Sequence, residues 1–165
     1  MIISAVIFFE LIIVGNLFCS IDGFSAEFDG YLLLDFVASA FYVDDFAWYE
    51  NDGASDPTWT AQDIATSADG ARSVYAADMD GDGDMDIVSA SNDDNTIAWY
   101  ENDGASDPSW SYESIATSAD GAYDVFVVDM DNDGDLDILT CEEHHVVGGE
   151  RMGLGVIWYE NPFWT

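Results

Sequence analysis

Positive charge is almost missing from this chain. It has no lysine and two arginines, Arg72 and Arg151, against 34 acidic residues, for a formal net charge of −32 at pH 7. That balance argues against binding nucleic acid or an anionic membrane surface, since both need basic patches. Cysteine is nearly as scarce. Cys19 and Cys141 are isolated and make no disulfide framework, and Cys141 reads as a small apolar core residue. Beyond residue 18 there is no further apolar run of the roughly 18 residues a membrane span needs, which argues against a multi-spanning protein. Nucleophile motifs, phosphate-cradling glycine loops and zinc signatures are also lacking.

Aspartate, by contrast, is abundant and patterned. Asp78-Met-Asp-Gly-Asp-Gly-Asp-Met-Asp86 and Asp129-Met-Asp-Asn-Asp-Gly-Asp-Leu-Asp137 are one nine-residue loop placed twice, 51 residues apart. Five carboxylates so close together repel strongly unless a cation sits among them. Calcium takes about six to eight oxygen ligands at roughly 2.3–2.6 Å, and alternating carboxylates let a short chain wrap such an ion. The candidate ligands are Asp78, Asp80, Asp82 and Asp86 in the first loop and Asp129, Asp131, Asp133 and Asp137 in the second. Asp84 and Asp135, at the seventh position, complete the candidate site, although a backbone carbonyl is the usual donor there. Gly83 and Gly134 at the sixth position permit a sharp turn. Gly81 and Asn132 at the fourth tolerate left-handed geometry.

An EF-hand needs a bidentate Glu at the twelfth position, where this chain has Ser89 and Thr140. The flanking runs, such as Val74-Tyr-Ala-Ala and Ile87-Val-Ser-Ala, are rich in strand formers, so these are loops between strands. At the same shift, Ala47–Asp86 and Ala98–Asp137 agree at 28 of 40 positions, and a third copy opens at Ile157-Trp-Tyr-Glu-Asn161. Upstream, Glu27–Phe36 falls in register with the loop, but Tyr31 and Leu32 replace the Asp and Gly of positions five and six. Glu27, Asp29 and Asp35 alone remain there, so that site reads as lost or very weak. A period near 50 residues holding several short strands predicts propeller blades or a similar array. Strands are expected at Ser109–Ala116, Ala122–Val128, Asp137–Thr140 and Val156–Glu160, divided by turn signals such as Asn102-Asp-Gly104 and Ala119-Asp-Gly121. The expected fold class is all-β, with about three four-stranded antiparallel blades in an incomplete ring, in units of about 26–69, 70–120 and 121–165.

With these loops and the Trp-Tyr-Glu-Asn strands, residues 27–165 resemble the FG-GAP/VCBS-type calcium-binding repeats of integrin-α-like β-propellers. The resemblance implies that each calcium loop joins the first two strands of a blade, that Asp78, Asp80, Asp82 and Asp86 and their counterparts Asp129, Asp131, Asp133 and Asp137 are ligands, and that Ca2+ is the cofactor. Propellers close with about four to eight blades. Either the chain is a piece of a longer protein or copies associate, since open terminal blades would expose apolar faces and strand edges.

Residues 1–25 permit three readings: a signal peptide with Gly23-Phe-Ser25 as cleavage site, a short anchor, or a degenerate strand. The recurring Trp48, Trp99 and Trp158 read as inter-blade packing or, alternatively, as sugar-stacking platforms. Glu50, Glu101 and Glu160 occupy equivalent blade positions, which speaks for structure over paired-carboxylate chemistry. The third unit carries an eight-residue insertion within Cys141–Gly155, holding His144, His145 and Arg151. It reads as a glycine-rich hairpin, or as a metal or ligand site at the blade end opposite the calcium loop. The expected function is a non-catalytic, extracellular or cell-surface calcium-binding module for adhesion or ligand display, with an unknown protein or glycan partner. The alternatives are a lectin-like propeller and the accessory propeller of a larger secreted hydrolase or lyase.

Overall fold

The computed structural model describes residues 19–20, 25–26, 35–42, 44–142, 145–147, 150–152 and 155–161. The expectations for residues 1–18 and for Gly23, Phe24, Glu27 and Asp29 lie outside those residues. Short apolar runs cut by Asp-Gly and Asn-Asp-Gly turns leave no room for helices, and none forms among the described residues.

The first sheet contains β1 (Cys19–Ser20), β2 (Ser25–Ala26), β3 (Asp35–Ala40), β4 (Asp45–Asn51) and β5 (Trp59–Ala65). Both short pieces pair antiparallel with β3, β1 at Ser39 and Ala40 and β2 at Asp35 and Phe36. The second sheet has β6 (Ala71–Ala77), β7 (Asp86–Ser91), β8 (Thr96–Asn102) and β9 (Trp110–Ala116), in the order β6-β7-β8-β9. Next come β10 (Ala122–Val128) and β11 (Asp137–Glu142). A separate hairpin of β12 (His145–Val147) and β13 (Glu150–Met152) precedes β14 (Gly155–Tyr159). The third sheet runs β10-β11-β14. All pairings are antiparallel, as expected of propeller blades. The strand count is less regular than the expected four per blade: five, four and three. The inserted segment forms the β12–β13 hairpin; His144 and the side chain of His145 lie outside the described residues.

Adjacent sheets are joined by the repeated Ser-Ala-Asp-Gly-Ala turn. Gly70 and Gly121 donate to the side chains of Asp44 and Asn95, each at 2.8 Å. Asp44 and Asn95 are left-handed, with φ of 57° and 58°, a geometry that Asp and Asn adopt more readily than other non-glycine residues. The hydrophobic cores lie between sheets. Val37, Phe46 and Trp48 of the first sheet pack with Val74, Ile87 and Tyr100 of the second. Val88, Ile97 and Trp99 then pack with Val125, Val127 and Ile138 of the third. Ile87 and Val88 are neighbours in β7 and enter different cores, because successive side chains in a strand point to opposite faces. A strand stacked between two sheets is therefore buried on both faces, as every residue of β7 is, Ser89 and Ser91 included.

Candidate metal centre

Residues 78–85 connect β6 to β7, and residues 129–136 connect β10 to β11. Both loops wind through the same three bonds. In the first, Asp82 N donates to Asp80 Oδ1 (3.1 Å), Gly83 N to Asp78 Oδ2 (3.1 Å) and Asp84 N to Asp82 Oδ1 (2.9 Å). In the second, Asp133 N donates to Asp131 Oδ1 (3.2 Å), Gly134 N to Asp129 Oδ2 (3.3 Å) and Asp135 N to Asp133 Oδ1 (3.2 Å). Gly83 and Gly134 adopt φ of 103° and 105°, while Gly81 and Asn132 sit at 77° and 64°.

This winding brings carboxylate oxygens of Asp78, Asp80 and Asp82 within 4.8 Å of one another, and likewise those of Asp129, Asp131 and Asp137. The two groups differ in their third member: position five in the first loop and position nine in the second. Asp84 and Asp86 stand outside the first group, as Asp133 and Asp135 stand outside the second. Asp84 turns towards the β8–β9 hairpin, so that a Cβ at Gly104 would lie 2.2 Å from its Oδ2.

Position nine opens the following strand and clamps the loop at its base. Asp86 accepts from Asn102 N (2.9 Å) and from Met79 N (3.0 Å). Asp137 accepts from Asn161 N (3.1 Å) and from Met130 N (3.0 Å). Asp35, at the equivalent place in the first sheet, accepts from Asn51 N (2.9 Å). The importance of these asparagines is not evident from the acidic loops alone. Its trace in the sequence is the Asn that follows each recurring Glu, in step with each ninth-position Asp.

Crowding and burial make four of these carboxylates, Asp80, Asp86, Asp131 and Asp135, reluctant to ionise. Burial pushes Asp86 up to about 7 against its two backbone hydrogen bonds. Loss of hydration raises Asp80, and it raises Asp131 together with the nearby Asp133 charge. A side-chain hydrogen bond between Asp133 and Asp135 lowers the first and raises the second to about 6. Asp78 Oδ1 and Asp129 Oδ1, equivalent atoms at the first positions, are both sealed from solvent with no hydrogen-bond partner. A buried carboxylate oxygen in that state is costly unless a charge compensates it. The donors are oxygens throughout, the preference of a hard cation.

Loops of this kind, set between the first strands of stacked antiparallel sheets, define a repeat protein of propeller-like blades. The FG-GAP-like repeat matches residues 28–89 and 78–140, and the chain belongs to that family. No curated protein and no solved structure matches it.

Proposed function

We propose that this chain is a non-catalytic calcium-binding repeat module, working outside the cell or at its surface in adhesion or ligand display. The observation that carries the reading is the pair of equivalent loops in which three carboxylates converge and the first-position Oδ1 is buried without a partner. Asp78, Asp80 and Asp82 would hold one Ca2+, and Asp129, Asp131 and Asp137 the other, with Asp86 fixing the base of the first loop. The ion would supply compensating charge and rigidity. FG-GAP-like repeats are generally non-catalytic and typical of extracellular or surface proteins. Extracellular calcium modules bind at about 10⁻⁴–10⁻³ M, a range in which cytosolic calcium would leave the loops empty. Sugar stacking on the recurring tryptophans gains no support in the first and second sheets, where Trp48 and Trp99 are 2% and 6% exposed.

Thermal unfolding with and without calcium tests the reading. Calcium at ten times its dissociation constant is expected to add about 1.4 kcal/mol per site. Asp80→Ala combined with Asp131→Ala should abolish the increase. An unchanged wild-type Tm between chelator and millimolar-range calcium would sink the proposal.

A further inference from the structure

Asn161 reaches both acidic loops. Its backbone N–H donates to Asp137 Oδ1 at 3.1 Å, and its Nδ2 donates to Leu136 O and Met79 O, both at 2.9 Å. Leu136 and Asp137 belong to the second loop. Met79 belongs to the first, lying between Asp78 and Asp80. Its own N–H donates to Asp86 Oδ2, and its side chain is 1% exposed in the core between the second and third sheets. One buried asparagine therefore ties a carboxylate that converges in the second loop, held by its backbone N–H, to the backbone between two that converge in the first, held by its carboxamide. Asn102 occupies the equivalent place one sheet earlier. Its N–H donates to Asp86 Oδ1 and its Nδ2 to Met85 O, both within the first loop.

We propose that Asn161 is a positioning residue that couples the two loops, so that calcium in the second raises the affinity of the first. The inference rests on the calcium reading above. Mutual repulsion spreads the carboxylates of an ion-free loop, and an ion draws them together. Asp137 moves with that contraction and takes the Asn161 N–H with it. The carboxamide cannot relax independently, because turning away would leave two carbonyls without their donor, one of them in a buried setting. The setting of the second loop is thus passed to Met79 and to the aspartates on either side of it. Linkage makes the effect reciprocal: calcium in the first loop raises the affinity of the second by the same factor.

The test is calorimetric calcium titration of the full chain in four forms: wild type, Asp129→Ala with Asp131→Ala, Asn161→Ala, and all three substitutions together. Amide hydrogen exchange at Met79 gives a second readout in each form. Disabling the second loop should weaken the first about fivefold or more and speed exchange at Met79. In the Asn161→Ala background the same disabling should change neither. Asn102→Ala serves as a control: it should weaken the first loop while leaving its dependence on the second intact. A wild type that takes up no calcium defeats the underlying reading, and the coupling with it. Two bound ions with a first-site affinity indifferent to the second loop defeat the coupling alone. Coupling that survives undiminished in Asn161→Ala removes Asn161 from the role. If Asn161→Ala fails to fold, Asn161→Leu, of the same branched shape and without a side-chain donor, takes its place.

Discussion

The second and third sheets are built from the same repeat, yet equivalent side chains lead different lives in them. Trp99 in β8 is 6% exposed, and its counterpart Trp158 in β14 is 46% exposed. Met79 in the first acidic loop is 1% exposed, and Met130 in the second is 48% exposed. The second sheet is followed by the third, which supplies Val125, Val127 and Ile138 to cover Val88 and Trp99. Among the described residues no sheet follows the third. Each blade therefore encodes half a core, and the next blade decides whether that half is buried. The strands and their pairings are local properties; stability resides between sheets.

The widest separation should come from the tryptophans. Trp99→Ala is expected to cost about 3–5 kcal/mol, as for other buried large-to-small changes. Trp158→Ala should fall within about 0.5 kcal/mol of wild type, as exposed substitutions usually do. Urea unfolding of both variants checks the pair, and equal losses would mean that the third sheet is covered in solution. The methionines offer a smaller contrast of the same kind. Met79→Ala should cost about 2–5 kcal/mol and Met130→Ala close to nothing, with the midpoint of denaturation as the readout.

The acidic loops should differ in titration, the smallest of the expected effects. Asp86 beneath the covered loop is held protonated up to about 7, and Asp135 in the open loop up to about 6, both above the ordinary 3.8. A carboxyl whose folded pKa exceeds its unfolded one contributes stability that is complete below the unfolded value and lost as pH rises through the folded value. In chelator, Tm should therefore decline from about pH 4, where the unfolded carboxyls ionise, and level off past about 6 for Asp135 and about 7 for Asp86. Saturating calcium favours the ionised carboxylates and should flatten or reverse that slope. A chelated protein whose Tm rises over the same interval would contradict the assigned burial of Asp86.

The strands were legible because their signals are local. Asp-Gly turns delimit Ala122–Val128 at the predicted bounds, and β11 extends the predicted Asp137–Thr140 by two residues to Glu142. The left-handed fourth and sixth loop positions were legible for the same reason: few residue types tolerate that backbone. Recurrence also pointed to packing for Trp48 and Trp99. Other features depend on distant chain segments. Nothing near Asp86 in sequence says that both its oxygens face backbone N–H groups, one of them from Asn102. The Asn161 to Met79 bond spans 82 positions, beyond any local pattern. The short β1 and β2 lack the acidic loop that marks the corresponding connection elsewhere, so only their pairing with β3 places them in the first sheet.

The FG-GAP-like matches begin near one acidic-loop register and end just beyond the next, at 28–89 and 78–140, whereas the second sheet runs from Ala71 to Ala116. The sequence unit is thus out of phase with the sheet by one strand. A segment excised at 78–140 would hold β7, β8 and β9 without β6, together with β10 and most of β11, leaving a raw edge where β6 had paired. A transplantable blade would instead be cut at the Asp69-Gly70 turn and again after Ala116, keeping the first acidic loop between its own two strands. For anyone grafting these modules into another scaffold, the choice of cut decides whether a blade or a fragment is transferred.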